Sequence, residues 1–129
     1  MTTVVSFRAG GQDWAVDLER VRQVVGAGGL LALPDPRPGV AGLLHRDGDT
    51  VTVVSPLGAG RGQVLVLDGD GDGAGVGLLV DEVVGIERVP QAPAGPPSGQ
   101  RSPLVAGVLA GTRPLLLLDV GALTGWLAG

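Results

Sequence analysis

Three aspartates alternate with glycines at the end of an apolar run: Asp68, Asp70 and Asp72 in VLVLDGDGDG, residues 64–73. Carboxylates at this spacing can bind a divalent cation, attack a phosphoryl group or form a tight turn between two strands. Each possibility needs different supporting residues, so the rest of the chain decides between them.

The phosphoryl-transfer possibility depends on the order of Asp68 and Asp70. An apolar strand that ends in Asp-x-Asp resembles the first motif of haloacid-dehalogenase phosphatases, in which the first Asp attacks phosphorus and the second transfers a proton beside Mg²⁺. Such a site also needs a cation, usually lysine, to hold the phosphate. The chain has no lysine and no alternating strand–helix pattern, so we do not expect phosphatase activity.

The calcium possibility requires Asp at loop positions 1, 3 and 5, Gly at position 6 and Glu at position 12. Asp68, Asp70, Asp72 and Gly73 satisfy the first half, but position 12 is Leu79, which has no carboxylate. Asp and Gly are also the residues that hairpin turns prefer. The stretch therefore predicts a turn between two strands, and we predict no metal site.

Asp119 is the third candidate for chemistry. Its context, LLLLDVGALTG, resembles the Leu-Asp-Thr-Gly element of retroviral-type aspartic proteases, but Val120 replaces the Thr or Ser that holds the paired aspartates. His45 is the only histidine and cysteine is absent, so no catalytic triad or thiol chemistry can be assembled. We predict no catalytic residue and no cofactor.

Composition narrows the class of protein further. The chain has 129 residues, a net charge of −4 and nine basic residues, all arginine and scattered singly, which argues against a nucleic-acid partner. Its N-terminus has no basic head or long apolar core, and no apolar run is long enough to cross a bilayer. We therefore expect a cytoplasmic protein without membrane insertion.

The distribution of apolar runs and turn residues predicts about nine short strands and one short helix. Strand-length apolar runs alternate with Gly-rich or Asp-Gly turns along most of the chain. DLERVRQVVG, residues 17–26, is predicted as the helix, with Asp17 as its cap and Gly26 as its end. GLLALPDPRPG is predicted as a short strand ending in prolines, and the C-terminal residues as one helical turn. Residues 90–103 are predicted as a flexible Pro/Gly loop. The pattern predicts an all-β barrel or pair of barrels.

Several of these segments, read together, resemble the CheW family, the adaptors of bacterial chemotaxis signalling arrays. GVGLLVDEVVGI is the most specific match, and the opening hairpin, PGVAGLLHRDGDTVTVV and the closing hairpin follow the family's order over nearly the whole chain. The resemblance implies a single domain, residues 1–129, of two small SH3-like five-stranded barrels that share a hydrophobic junction. It also implies no catalysis, and docking of chemoreceptor tips and of the regulatory domain of a CheA-type histidine kinase, with receptor tips in the groove between the barrels.

The residues that match the family's partner-facing positions are expected to bind the partner. For the valines of the VDEV motif, residues 80–83, core packing is an equal alternative. For the Asp47-Gly48 pair, a hairpin turn is an alternative. The expected partner-binding residues are Val21, Gln23, Val24, Gly42, His45, Asp47, Gly48, Val80, Asp81 and Val83. His45, Asp47 and Ser55 stand where the family usually has Asn, Arg and Asp. The reversed charge at residue 47 motivates two alternatives: a diverged module with a different partner, or self-association.

Overall fold

The computed structural model describes residues 1–34, 38–46, 48–58, 62–68, 75–90, 104–110 and 113–128. Several predictions fall outside these ranges: those for Asp47, for Asp70, Asp72 and Gly73 of the aspartate stretch, and for the Pro/Gly loop beyond Pro90.

The described residues form ten strands, one α-helix and two 3₁₀ turns. The strands are β1 Thr2–Ala9, β2 Gln12–Asp17, β3 Val21–Gly26, β4 Val40–Arg46, β5 Asp49–Val54, β6 Gln63–Leu67, β7 Val76–Val80, β8 Glu82–Val89, β9 Val105–Ala110 and β10 Pro114–Leu118. The helix α1 spans Val120–Ala128, and the 3₁₀ turns span Leu18–Arg20 and Ala27–Gly29.

The strands build two five-stranded sheets, as predicted. The first sheet has the order β8-β1-β2-β10-β9 and the second has the order β3-β6-β7-β5-β4. Pairing is antiparallel except between β10 and β2 and between β5 and β7. The all-β class and the pair of small five-stranded units are therefore confirmed.

Short glycine turns set the register of the predicted hairpins. Gly10 and Gly11 have φ angles of 61° and 76° and connect Ala9 to its partner Gln12. Positive φ at both central residues is what a two-residue hairpin turn requires. Gly48, with φ 85°, lies between the paired strands β4 and β5. The hairpin predicted around the aspartate stretch is also present, since β6 and β7 pair antiparallel with Leu67 opposite Val76.

Three clusters of buried apolar residues hold the sheets together. A first-sheet core includes Val4, Leu109 and Leu115, and a second-sheet core includes Leu44, Val53 and Val64. The largest cluster, here called the junction core, joins residues of both sheets. The junction core includes Val5, Phe7, Trp14, Val54, Leu65, Leu67, Val76, Leu78 and Val80.

The junction core explains why some strands are apolar at every position. In β6, Val64 and Val66 point into the second-sheet core, while Leu65 and Leu67 point into the junction core. A strand that is buried on both faces reads as a continuous apolar run rather than as an alternating one. The run VLVL before the aspartates therefore marks a central strand between two cores.

The predicted helix over residues 17–26 is wrong. Only Leu18–Arg20 turn, as a 3₁₀ helix whose Glu19 N–H donates to Asp17 Oδ1 at 3.1 Å. Asp17 is the last residue of β2, and Val21–Gly26 are strand β3. Valine is β-branched and favours strands over helices. A bulge between Val21 and Gln23 shifts the register against β6, so the apolar positions fit a helical spacing although the segment is extended.

Two smaller predictions need correction. In the described part of the segment predicted as a short strand ending in prolines, the strand pairing is limited to an isolated bridge between Leu31 and Leu43. The predicted single turn at the C-terminus is the nine-residue helix α1, whose Ala122 N–H donates to Asp119 Oδ1 at 2.9 Å.

Candidate docking site

One rim of the junction between the sheets is strand β3. Val21 is half-buried and packs against the junction core, Gln23 is half-buried, and Val24 is 39% exposed. Val24 lies opposite Leu65 of β6, whose side chain belongs to the junction core. Directly opposite residues on neighbouring strands share a face, so Val24 presents an apolar side chain to solvent at the edge of the junction.

Strand β8 forms the corresponding edge of the first sheet. Ile86 lies opposite Val5, a member of the junction core, and is 66% exposed, while Val84 is 50% exposed. Neither residue was among the predicted partner-binding residues. The sequence feature that could have indicated them is the apolar pair Val84 and Ile86, two residues apart in EVVGIER, which begins and ends with charged residues.

The VDEV segment, residues 80–83, has both buried and exposed side chains. Val80 is fully buried in the junction core, so its side chain packs and is not offered to a partner. Asp81 is exposed, and its backbone N–H donates to the carbonyl oxygen of Arg8 at 2.9 Å. Val83 is half-buried against the junction core, and its N–H donates to Gln63 Oε1 at 2.7 Å. Gln63 is in the second sheet and Val83 in the first, so this bond links the two sheets.

The β4–β5 hairpin carries the remaining predicted residues. Gly42 is buried, and a Cβ there would collide with the carbonyl oxygen of Leu31. His45 is exposed, with Nδ1 3.3 Å from Thr50 Oγ1, and Gly48 is exposed at the turn. Close backbone packing therefore accounts for Gly42, whereas His45 and Gly48 are accessible at the hairpin tip.

Ion pairs fix the surroundings of both rims. Arg22 pairs with Asp68, and Arg20 Nη2 donates to the carbonyl oxygen of Asp68 at 3.2 Å. In the first sheet, Arg113 Nε lies 3.4 Å from Asp13 Oδ1, and Arg113 Nη2 lies 3.5 Å from Glu87 Oε2. These contacts tie β3 to the end of β6 and tie β8 to the start of β10, so both rims are held by charged side chains.

The aspartates that suggested enzymatic chemistry have structural partners. Asp68 is paired with Arg22, and the Asp119 carboxylate caps α1. Asp17 and Asp119 both line a cleft of about 330 Å³ between the first 3₁₀ turn and the start of α1. Each of these two carboxylates accepts a backbone N–H two or three residues further along the chain.

The residues that the structure describes lack two further features. They contain no group of three or more His, Cys, Asp or Glu side chains that could hold a metal ion. They also contain no helix with the length and apolar character that a membrane crossing requires.

The structure thus separates the predicted residues into two groups. Val21, Val80 and Val83 meet at the junction core, and Val24 lies at its rim. The hairpin residues His45 and Gly48 lie instead on the β4–β5 connection of the second sheet. The arrangement is an apolar edge between two sheets, with an exposed hairpin as a separate feature.

Comparison with known proteins agrees with this architecture. The family model described as "CheW-like domain" matches residues 3–127, and the chain belongs to this family. The crystal structure of the scaffolding protein TtCheW from Thermoanaerobacter tengcongensis is similar, with a TM-score of 0.81 and 16% sequence identity. That match covers 95% of this chain and 86% of the other. A search of curated proteins gave no match.

Proposed function

We propose that the chain is a non-catalytic adaptor of a chemotaxis scaffold, which couples chemoreceptor tips to the regulatory domain of a CheA-type histidine kinase. The observation that carries the proposal is the junction between two five-stranded sheets, with apolar side chains exposed at its rim, in a chain of the CheW-like family. Membership of this family favours binding between folded protein surfaces over catalysis.

The junction rim supplies the receptor-binding surface in this proposal. Val24 contributes exposed apolar area, and Val21 and Val83 contribute half-buried area against the junction core. Gln23 lies opposite Val66, on the face of the second-sheet core. An apolar centre bordered by polar and charged side chains is the usual composition of a protein interface. The ion pair between Arg22 and Asp68 lies beside this rim and links β3 to the end of β6.

The hairpin tip supplies a second contact, with the kinase regulatory domain. His45 and Gly48 are exposed there, and Asp47 lies between the two strands in sequence. Charges at an interface govern the choice of partner and the rate of association more than the total affinity. The family's usual Arg is therefore expected to be a specificity element, and Asp47 is expected to require a complementary basic partner.

Size-exclusion chromatography tests the adaptor role. The purified chain is run alone, with a CheA-type regulatory domain, with a receptor tip fragment, and with both, all from the source organism of this chain. We expect co-elution with each partner and a ternary complex when both are present. Separate elution in every mixture would contradict the adaptor role and leave the fold assignment unaffected.

A second candidate function is a CheW-like binding module whose partner differs from the standard kinase. The acidic residue at position 47 favours it, since like charges placed across an interface reject a partner. Asp47→Arg distinguishes the two functions. If the Asp47→Arg variant gains binding to the regulatory domain of a CheA-type kinase, the result supports divergence at one contact. If the variant still fails to bind, the result supports a different partner.

A further inference from the structure

The two sheets approach each other through backbone atoms at the β1–β2 turn. A Cβ built on Gly10, in this turn of the first sheet, would collide with the carbonyl oxygen of Leu57, which follows β5 of the second sheet. From the opposite side, a Cβ built on Gly58 would lie 3.2 Å from Gly10 Cα. The turn of one sheet therefore packs directly on the main chain of the other, with no side chain between them.

Leu57 is held in place at this contact. Its side chain is half-buried and packs against the junction core. Backbone hydrogen bonds hold the chain on either side, since the Ser55 N–H donates to the carbonyl oxygen of Gly39 at 2.7 Å and the Gly58 N–H donates to that of Ser55 at 3.4 Å. A side chain at residue 10 would therefore displace the β1–β2 turn rather than the Leu57 carbonyl.

A displaced turn moves residues of the junction core. Ala9 adjoins the turn on β1, and Phe7 and Trp14 lie further along β1 and β2; all three are buried in the junction core. Opposite Phe7 on β8 is Val83, whose N–H donates to Gln63 of the second sheet at 2.7 Å. The hydrogen bond draws the two sheets together, and the contact at the turn limits how closely they approach.

We infer that Gly10 is a positioning residue, whose contact with the Leu57 carbonyl sets the separation of the two sheets at the junction. Gln63 lies opposite Gly26 of β3, two residues from Val24 at the rim, so the separation also sets the shape of the rim. The link to the rim rests on the proposed receptor-binding function. The separation of the sheets does not depend on that function.

Nuclear magnetic resonance of the purified chain tests the separation by comparing Gly10→Ala with Gly11→Ala. Both glycines have positive φ, but a Cβ on Gly11 meets nothing within 4 Å. The two alanines therefore share the backbone strain, and only the one at residue 10 collides with Leu57. The Val83 amide proton is expected to shift upfield in Gly10→Ala because its bond to Gln63 lengthens, and to keep its wild-type shift in Gly11→Ala.

Gly58→Ala reaches the same contact from the second sheet and is the milder variant, since its Cβ lies 3.2 Å from Gly10 Cα. It is expected to move the Val83 signal in the same direction by a smaller amount, and it decides the question if Gly10→Ala does not fold. An unchanged Val83 signal in the folded variant, or an equal shift in Gly11→Ala, overturns the inference.

Isothermal titration calorimetry with the receptor tip tests the link to the rim. Gly10→Ala is expected to bind about tenfold more weakly than the wild-type chain, and Gly11→Ala is expected to bind with wild-type affinity. Wild-type affinity in a Gly10→Ala variant whose Val83 signal has moved overturns the link to the rim. If the wild-type chain itself does not bind the tip, the proposed function fails, and the Val83 signal still decides the role of Gly10.

Discussion

At the scale of single residues, Gly77 lies in the interior of the second sheet, where buried side chains leave no room for a Cβ. A Cβ built on Gly77 would lie 2.8 Å from Val53 Cγ2 and 3.0 Å from Val64 Cγ1. Both valines are fully buried, so neither can move into solvent. The glycine is required because a side chain would overfill the core between β5 and β6.

Gly77→Ala is expected to lower the free energy of unfolding by about 1–3 kcal/mol, the usual cost of overpacking. Urea denaturation at equilibrium measures the change. Gly26→Ala is the control, because a Cβ there meets nothing within 4 Å and the backbone angles, φ −69° and ψ 151°, suit any residue. A destabilisation of equal size in both variants would contradict the explanation.

The aspartates show how far residue types alone predict a site. The sequence argues against phosphatase, calcium and protease chemistry because each lacks a required partner residue, and it predicts a turn at residues 68–73. The sequence could not predict that Asp68 pairs with Arg22 or that Asp119 caps a nine-residue helix. Those contacts depend on the placement of β3 beside β6 and on the direction of the chain after β10.

At the scale of secondary-structure elements, β3 is the clearest difference between prediction and structure. The positions of Leu18, Val21 and Val25 fit a helical spacing, and Asp17 is a good cap. The cap is real, but it serves a turn of three residues. Pairing with β6 provides hydrogen-bond partners for the backbone of residues 21–26. Because of the bulge beside Arg22, Val21 packs against the junction core and Val25 packs against the second-sheet core. Bulges leave no simple periodicity in a sequence.

The hairpins were predictable because their turns are encoded locally. Gly10-Gly11 and Asp47-Gly48 are dipeptides of the kind that two-residue hairpin turns favour, and the flanking apolar runs have strand length. The rim residues Val84 and Ile86 were missed for the opposite reason. Their exposure depends on β8 lying at the end of the sheet, and strand order is set by long-range pairing that a single sequence does not display.

Gln63 links two elements from different sheets, since its side chain accepts the N–H of Val83 at 2.7 Å. Gln63→Ala removes the acceptor and leaves a half-buried donor unpaired, which is expected to cost about 1 kcal/mol. Hydrogen–deuterium exchange is expected to accelerate at the start of β8. Gln12→Ala, at an exposed position, serves as the control, and unchanged exchange in β8 of the Gln63 variant would argue against a link between the sheets.

At the scale of the whole molecule, the junction core is the largest of the three apolar clusters and contains residues of both sheets. Neither sheet can separate from the other without exposing Leu65, Phe7 and Trp14 to water. Trp14 stacks on Phe7 with ring centroids 6.4 Å apart, and so tryptophan fluorescence reports on the junction. We propose on this basis that residues 1–129 behave as one cooperative domain.

Urea unfolding is expected to follow a single transition in which tryptophan fluorescence and far-ultraviolet circular dichroism have the same midpoint. Fluorescence reports the opening of the junction, and circular dichroism reports the loss of strands in both sheets. A fluorescence midpoint that precedes the loss of strands would contradict the proposal, because the two sheets would then be independent units.

The central claim is that a partner docks at the rim of the junction, and the affinity of a Val24→Asp variant tests it most directly. Val24 is exposed, so an aspartate there leaves the core intact, whereas Val21 packs partly on the junction core and its replacement would also alter stability. Ala110→Asp introduces the same charge at an exposed residue at the end of β9. Isothermal titration calorimetry with the receptor tip is expected to give an affinity at least about tenfold weaker for Val24→Asp and unchanged for Ala110→Asp. Wild-type affinity in Val24→Asp, or equal weakening in both variants, would contradict docking at the junction.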